Sequence, residues 1–348
     1  MKPLTRVLIV DDSAYVRKVM RQMLSRSPAI DVVGAARDGR EALELVESLE
    51  PDVVTCDLIM PELDGVGFIR EQMLRRPVPI VVVSVASESG ELVLTALDAG
   101  AVDVLQKPTA LASDRLFEMS DELVEKVKAA AESRVRRAVA VGASLPKVSA
   151  PPIRRRAAAP AAIVVIGIST GGPQALKTLI PRLPAEFPVP VVIVLHMPVG
   201  YTELYARKLD EQSALGVVEA QDGQLVTAGT VYIAPAGRHL TLFRATDGRI
   251  LTHLDVRPLD AAYRPSVDVL FSSAAEVYGD RVLGVVMTGM GSDGRAGAAW
   301  IKAKGGSVIT EAEESCVVYG MPRSVAEAGL SDAQIDLDRL AGALLERT

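Results

Sequence analysis

Three polar side chains with complementary chemistry each stand at or just beyond the end of an apolar run. Ser169 follows IVVIGI, His196 follows VVIVL, and Asp293 lies in the turn after RVLGVVM. A serine hydroxyl is a weak nucleophile at neutral pH. It needs a base beside it, and the base needs a carboxylate to hold its tautomer. Ser169 sits in Gly167-Ile168-Ser169-Thr170-Gly171, which fits the G-x-S-x-G strand-to-helix turn of a serine nucleophile. The same glycine-rich turn before a helix also fits a phosphate cradle. The chain has three histidines. His239 and His253 have charged and hydroxyl neighbours that predict exposure, which leaves His196 as the candidate base. Two plainer readings stand beside these: His196 as a satisfied strand-end histidine, and Asp293 as the cap of a helix starting at Gly294. The backbone N–H groups near Thr170 and Met290 are candidates for stabilising an oxyanion. Cys316, in ESCVVYGMP, is a rival nucleophile on paper, but it adjoins an apolar pair with no histidine close in sequence and reads as a buried thiol. The chain order Ser, His, Asp differs from the Ser, Asp, His of α/β-hydrolases, while the geometry of a triad can arise in any order.

A second set of side chains lies nearer the start. Asp11 and Asp12 follow RVLIV, Asp57 follows VVTC, Ser84 follows PIVVV, and Lys107 follows VDVLQ. Carboxylates gathered at one place repel unless they share a cation, and hard oxygen ligands suit Mg²⁺. A carboxylate beside Mg²⁺ can accept a phosphoryl group. Lys107 would then neutralise phosphoryl oxygens and Ser84 would donate to one. Taken singly, Asp11 reads equally well as a helix cap.

The elements that must position these residues alternate. Short β-branched runs separated by helical spacing recur over 1–133 and again over 162–348, which predicts two doubly wound α/β domains with parallel sheets. In such sheets the ligand crevice lies outside the carboxyl ends of the strands, where both sets of polar residues fall. Short strands with glycine turns over 217–242 predict a small antiparallel insertion in the second domain. Between the domains, 134–161 holds prolines, alanines and two arginine clusters with no acidic residue, and reads as a flexible basic linker.

Bulk composition narrows the function classes. The 348 residues favour two domains over one. Aromatic content of 4% is too low for a single-strand nucleic-acid platform, and a net charge of -6 argues against a nucleic-acid or anionic-membrane partner. Cys56 and Cys316 form no C-x-x-C, which fits a reducing compartment without structural zinc. The N-terminal residues turn acidic too early for a signal peptide, and no apolar run reaches the roughly 20 residues of a membrane span. A cytoplasmic protein is expected.

The first set of motifs, VDDS, CDLIMPELDG, SVAS and LQKP, resembles the receiver domain of two-component response regulators. That resemblance implies Asp57 as phosphoacceptor, Asp11 and Asp12 as helpers in binding Mg²⁺, and Ser84 and Lys107 as switch residues. Receivers usually place an aromatic three residues before the lysine; this chain has Val104. Over both domains, GISTGGP, LHMPVGYT, YIAPAGRH, RPSVDVLF, MTGMGSDG and SCVVYGMP resemble the chemotaxis response-regulator methylesterases (CheB type). Some members have histidine at the position of Tyr263. The resemblance implies a triad of Ser169, His196 and Asp293, with Thr170 and Met290 at the oxyanion site. It implies hydrolysis of glutamyl methyl esters on chemoreceptor cytoplasmic helices, deamidation of receptor glutamines in many members, and a histidine kinase as phosphodonor. A receiver fused to a hydrolase further predicts that the unphosphorylated receiver covers the crevice. The rival from another class is a receiver-controlled transcriptional regulator, which would need a helix-turn-helix or a basic reading face. A nucleotide-binding output would need a Walker lysine or a completed G-x-G-x-x-G after GISTGG, and neither is there.

Overall fold

The computed structural model describes residues 4–85, 90–107, 113–133 and 160–348. Of the expected linker, 134–159 lie outside the described residues. Ala161 is packed and buried, its N–H donating to Arg347 O at 2.9 Å, so it belongs with the second sheet.

The first half runs β1 Thr5–Val10, α1 Ala14–Leu24, β2 Ile30–Ala36, α2 Gly39–Leu49, β3 Val53–Cys56, α3 Gly65–Arg75, β4 Ile80–Val85, α4 Gly90–Asp98, β5 Asp103–Lys107 and α5 Ser113–Ala131. Val7 to Leu8 and Ile9 are wholly buried, as strands covered on both faces must be. The sheet order is β2-β1-β3-β4-β5 and every pair is parallel. The order reverses between β1 and β3, so the crevice opens where Asp11, Asp12 and Asp57 leave their strands.

The second half continues β6 Ile163–Ile168, α6 Gly172–Leu179, β7 Val191–Leu195, α7 Thr202–Asp210, β8 Gly216–Glu219, β9 Thr230–Ile233, β10 His239–Arg244 and β11 Ile250–Asp255. It closes with α8 Val267–Tyr278, β12 Val282–Val286, α9 Arg295–Ala303, β13 Ser307–Glu311, α10 Met321–Glu327, β14 Ala333–Ile335 and α11 Leu337–Leu345. The sheet order is β14-β13-β12-β6-β7-β9-β8. Its reversal point falls between β6 and β12, so Ser169 and Asp293 leave neighbouring strands at the crevice, with His196 one strand over.

One expectation needs correction. The antiparallel insertion does not span 217–242. β8 and β9 join the main sheet, parallel to each other and to β7. The crossover helix α7 packs on β8 and returns the chain in the parallel sense. The Asp222-Gly223 turn is not a hairpin tip; it opens a long connection that bonds to β11, through Gly223 N–H to Thr252 O and Val226 N–H to Ile250 O. The antiparallel pair is β10 with β11, closed by a turn at Gly248 in the left-handed region. Among the described residues no helix is long and apolar enough to cross a membrane.

The two halves pack on each other. Gln174 of α6 donates to Leu97 O at 2.8 Å and Ala101 O at 2.7 Å, Gly171 N–H donates to Val102 O at 3.0 Å, and Lys177 pairs with Asp98. A Cβ on Gly90 would strike Leu204, so α4 and α7 touch backbone to side chain.

Candidate active site

The β6–α6 turn presents Ser169. Gly171 has φ +78°, the left-handed region that favours glycine, and a Cβ there would meet Val317 at 2.5 Å. Ser169 N–H donates to Thr288 O at 3.0 Å, and Gly172 N–H closes the turn onto Ser169 O at 2.7 Å. No described residue hydrogen-bonds Ser169 Oγ. The side chain opens into a cleft of about 620 Å³.

His196 extends the β7 ladder by donating its N–H to Ile168 O at 3.0 Å, which sets it beside the Ser169 turn. Its Nε2 lies 2.9 Å from Asp293 Oδ2, while its Nδ1 is buried with no partner. A carboxylate accepts only, so Nε2 carries the proton and Nδ1 holds a free lone pair. The arrangement leaves a base with its acceptor atom unused in the cleft that holds a serine hydroxyl.

Asp293 is held more firmly than a helix cap. Its Oδ2 also accepts Val267 N–H at 2.8 Å, and its Oδ1 accepts Ser266 Oγ at 2.9 Å, Asp268 N–H at 3.0 Å and Gly294 N–H at 3.1 Å. These are mostly the orphan donors at the N-terminus of α8, whose helix end favours a negative charge. The helix after Gly294 is capped from outside instead: Asp268 accepts Gly294 N–H at 2.9 Å and Gly297 N–H at 2.7 Å. Each aspartate thus caps the other's helix. Burial works against ionisation of Asp293, but the His196 bond and the backbone donors outweigh it and hold the carboxyl below its usual range.

Thr170 and Met290 both line the same cleft. No described residue accepts from the backbone N–H of either. Gly320 packs against the Met290 backbone so closely that a Cβ would meet Gly289 O at 2.7 Å. The 288–290 backbone is further fixed by Glu311, which is wholly buried and accepts Thr288 N–H at 2.9 Å and Ser315 Oγ at 3.1 Å. Burial pushes the Glu311 carboxyl up to about 7. A raised carboxyl binds more protons folded than unfolded between its ordinary value and about 7, so its contribution to stability falls as pH rises through that window. Glu311→Gln is therefore expected to flatten the loss of thermal midpoint between pH 5 and pH 8. An unchanged slope would show that Glu311 titrates as an ordinary carboxyl.

Cys316 is buried and burial pushes its thiol far up, so it offers no thiolate. His239 corrects an expectation: it is wholly buried, not exposed. Its Nδ1 accepts Ser266 N–H at 3.2 Å and its Nε2 donates to Pro258 O at 3.1 Å. The flanking Arg238 and Thr241 suggested a surface; Leu240 and Leu242 take the core side of β10, and His239 on the other face is covered by the 258–266 segment that it hydrogen-bonds. His253 is exposed and pairs with Asp222. Tyr263, noted from the sequence only as a position where some relatives have histidine, was given no role there; its ring stacks on that of His196 with centroids 4.3 Å apart and planes 12° from parallel. Its place directly before the helix-start motif was the available signal.

The first set of residues also converges. Asp11, Asp12 and Asp57 each offer an oxygen, all within 4.8 Å of one another. Lys107 Nζ reaches Asp11 Oδ2 and Asp57 Oδ2, each at 2.6 Å. Burial raises the Asp11 carboxyl pKa against the pull of Lys107. Burial also opposes the Lys107 charge, yet the two carboxylates outweigh it and raise its pKa. Asp11 does not cap α1; Ser13 does, accepting Val16 N–H at 3.4 Å. Ser84 is buried on β4 at the same sheet end, in register with Gln106. Val104 is buried in the core on β5.

The two sets meet across the boundary between the halves. Asp103 heads β5, four residues before Lys107. Its Oδ2 accepts Thr170 Oγ1, and its Oδ1 accepts Lys126 Nζ at 2.6 Å. Gln106 and Asp121, Glu122, Glu125 and Lys126 of α5 form the far wall of the Ser169 cleft. A cleft of about 620 Å³ admits a side chain but not an α-helix about 10 Å across.

Comparison with known proteins follows the same division. Residues 164–344 match the family model described as CheB methylesterase, and residues 7–120 match the response regulator receiver domain. The chain is 52% identical over 344 residues to a protein-glutamate methylesterase/protein-glutamine glutaminase of Myxococcus xanthus, covering 98% of this chain and 97% of that one. It is 46% identical to one of Symbiobacterium thermophilum, covering 97% and 96%. Among solved structures, the Thermotoga maritima CheB methylesterase catalytic domain is similar at 46% identity with a TM-score of 0.53, covering 54% of this chain and 99% of that one. The alternative of a DNA-binding output finds no support, since the residues that would carry it match the methylesterase.

Proposed function

The chain belongs to the CheB methylesterase family, and from that premise we propose that Ser169, His196 and Asp293 hydrolyse glutamyl methyl esters on chemoreceptor helices under control of the receiver. The observation that carries the assignment is the unpartnered Nδ1 of His196, whose Nε2 is held by Asp293 in the cleft of Ser169. Ser169 Oγ attacks the ester carbonyl carbon as His196 Nδ1 takes its proton. The oxyanion falls to the backbone N–H groups of Thr170 and Met290. The C–O bond to the methyl group's oxygen then breaks, and methanol leaves with the proton from His196. Water, deprotonated by His196, cleaves the acyl-serine and frees the glutamate. The same route serves a glutamine side chain, with ammonia as the leaving group.

The regulatory part of the reading concerns Asp57. A receiver implies a phosphorylation site of a kind that typically uses Mg²⁺. The hard oxygens of Asp11, Asp12 and Asp57 fit that ion and would hold it. When bound, Mg²⁺ supplies charge neutralisation for the phosphoryl group, whose donor would be a cognate histidine kinase. Lys107 would pair with phosphoryl oxygens and Ser84 would donate to one. The domains proposed are a receiver over 1–133, a linker that ends before the buried Ala161, and the esterase over 161–348. The reaction implies work in the cytoplasm, on the receptors' cytoplasmic helices, with no nucleic-acid partner.

The test treats the full chain with a small-molecule phosphodonor and a serine-reactive phosphonofluoridate. Methanol release from methylated receptor should rise with phosphodonor and stop with the phosphonate, and peptide mapping should place the adduct on Ser169. An adduct on another residue, or methanol release that persists in fully labelled protein, removes the assignment.

A further inference from the structure

We propose that Tyr263 is a positioning residue for the base: its stacked ring fixes the plane of the His196 imidazole and favours the imidazolium that forms as Ser169 is deprotonated. The inference rests on the reading of His196 as base. The bond from Nε2 to Asp293 fixes one point of the ring but leaves rotation about it open. A parallel face 4.3 Å away removes that freedom. It also sets the negative face of an aromatic ring against a group that becomes a cation in each half of the reaction.

Tyr263 is itself held for this. The segment carrying it is tied at both ends to one buried histidine: His239 donates to Pro258 O and accepts from Ser266 N–H. Between those ends, Gly237 N–H donates to Arg264 O at 3.0 Å and Arg264 Nη2 donates to Leu259 O at 3.3 Å. Ser266, where the segment ends, hydrogen-bonds Asp293. The edge partner and the face partner of His196 are therefore set by the same stretch of chain. Sequence chemistry at position 263 needs a flat ring more than a hydroxyl, since the phenol makes no hydrogen bond among the described residues.

The charges around His196 are Asp293 at its edge, Asp268 and His239 behind Asp293, Arg264 beside Tyr263, and Asp121, Glu122, Glu125 and Lys126 across the cleft. All stay in place when position 263 alone is changed, so a difference reports the ring. The experiment is NMR of the full chain with labelled histidine. The His196 ring protons should be shifted upfield by the tyrosine ring current. Tyr263→Phe and Tyr263→Trp should keep that shift and the turnover. Tyr263→Leu should abolish the shift. With phosphodonor present, kcat for Tyr263→Leu should fall about 10-fold at little change in KM, the size expected for a base held loosely. His196 signals without ring-current shift in the unsubstituted chain overturn the proposal, as does a Leu variant with unchanged turnover. Failure of the triad reading itself would show differently, as methanol release that survives phosphonate labelling of Ser169 while the His196 ring shift persists.

Discussion

Asp293→Asn is expected to lower kcat for methyl-ester hydrolysis by about 10⁴-fold, with KM much less affected, as loss of the correct histidine tautomer does in a serine triad. The hydrogen bonds dictate why. Oδ1 accepts from Ser266 Oγ and from the backbone N–H groups of Asp268 and Gly294, so an amide NH₂ cannot stand there. The NH₂ must occupy the Oδ2 position, where it faces both Val267 N–H and His196 Nε2. A donor at that point forces Nε2 to become an acceptor and moves the ring proton to Nδ1. The lone pair that should receive the Ser169 proton is then gone. Methanol release in single-turnover assays checks the size of the loss, and a drop of less than about 10-fold would mean that Asp293 does not set the tautomer.

The second large effect concerns control. Asp57→Asn is expected to abolish stimulation by phosphodonor, a stimulation of up to about 100-fold if the coupling lies at the usual upper range. Asp103→Asn should act in the opposite sense and raise activity without phosphodonor by about 10-fold, the size of losing one buried, charge-assisted bond in the covered state. The path between the two residues is short. Lys107 bridges Asp11 and Asp57 at one end of β5, and Asp103 holds Thr170 and Lys126 at the other. Thr170 directly follows Ser169, the proposed nucleophile, so releasing Asp103 frees the α5 wall from the turn that carries it. The double variant should keep the raised basal activity and ignore phosphodonor. Basal activity of Asp103→Asn equal to that of the unsubstituted chain would show that this contact does not hold the cleft closed.

Much of this was legible in the chain because both candidate sites sit at strand ends. A buried parallel strand announces itself as a β-branched run, and the next polar residue is then at the crevice by geometry alone. Ser169, His196, Asp11 and Asp57 were singled out that way, and Asp293 from the turn that follows such a run. What escaped depends on contacts between distant segments. Asp103 heads a strand rather than ending one, and only the packing of two sheets brings it to Thr170. Tyr263 lies in an irregular segment with no periodicity to place it. His239 was misread because polar neighbours predict exposure only where the alternate face is not itself covered. β8 and β9 were misread because Gly223 and Gly229 resemble hairpin turns locally, while strand sense was decided by α7.

The reciprocal caps of Asp268 and Asp293 have a practical consequence for anyone who wants an inactive form of this chain to capture its substrate. A dead variant made by truncating Asp293 to alanine removes one helix's cap as well as the chemistry, and the loss of a cap of this kind costs about 1 kcal/mol. Its failure to retain a receptor would be ambiguous. Ser169 carries no such second duty, since its hydroxyl bonds no described residue while its backbone makes the turn. A trapping variant is best built there, where the nucleophile can be deleted and the scaffold left as it was.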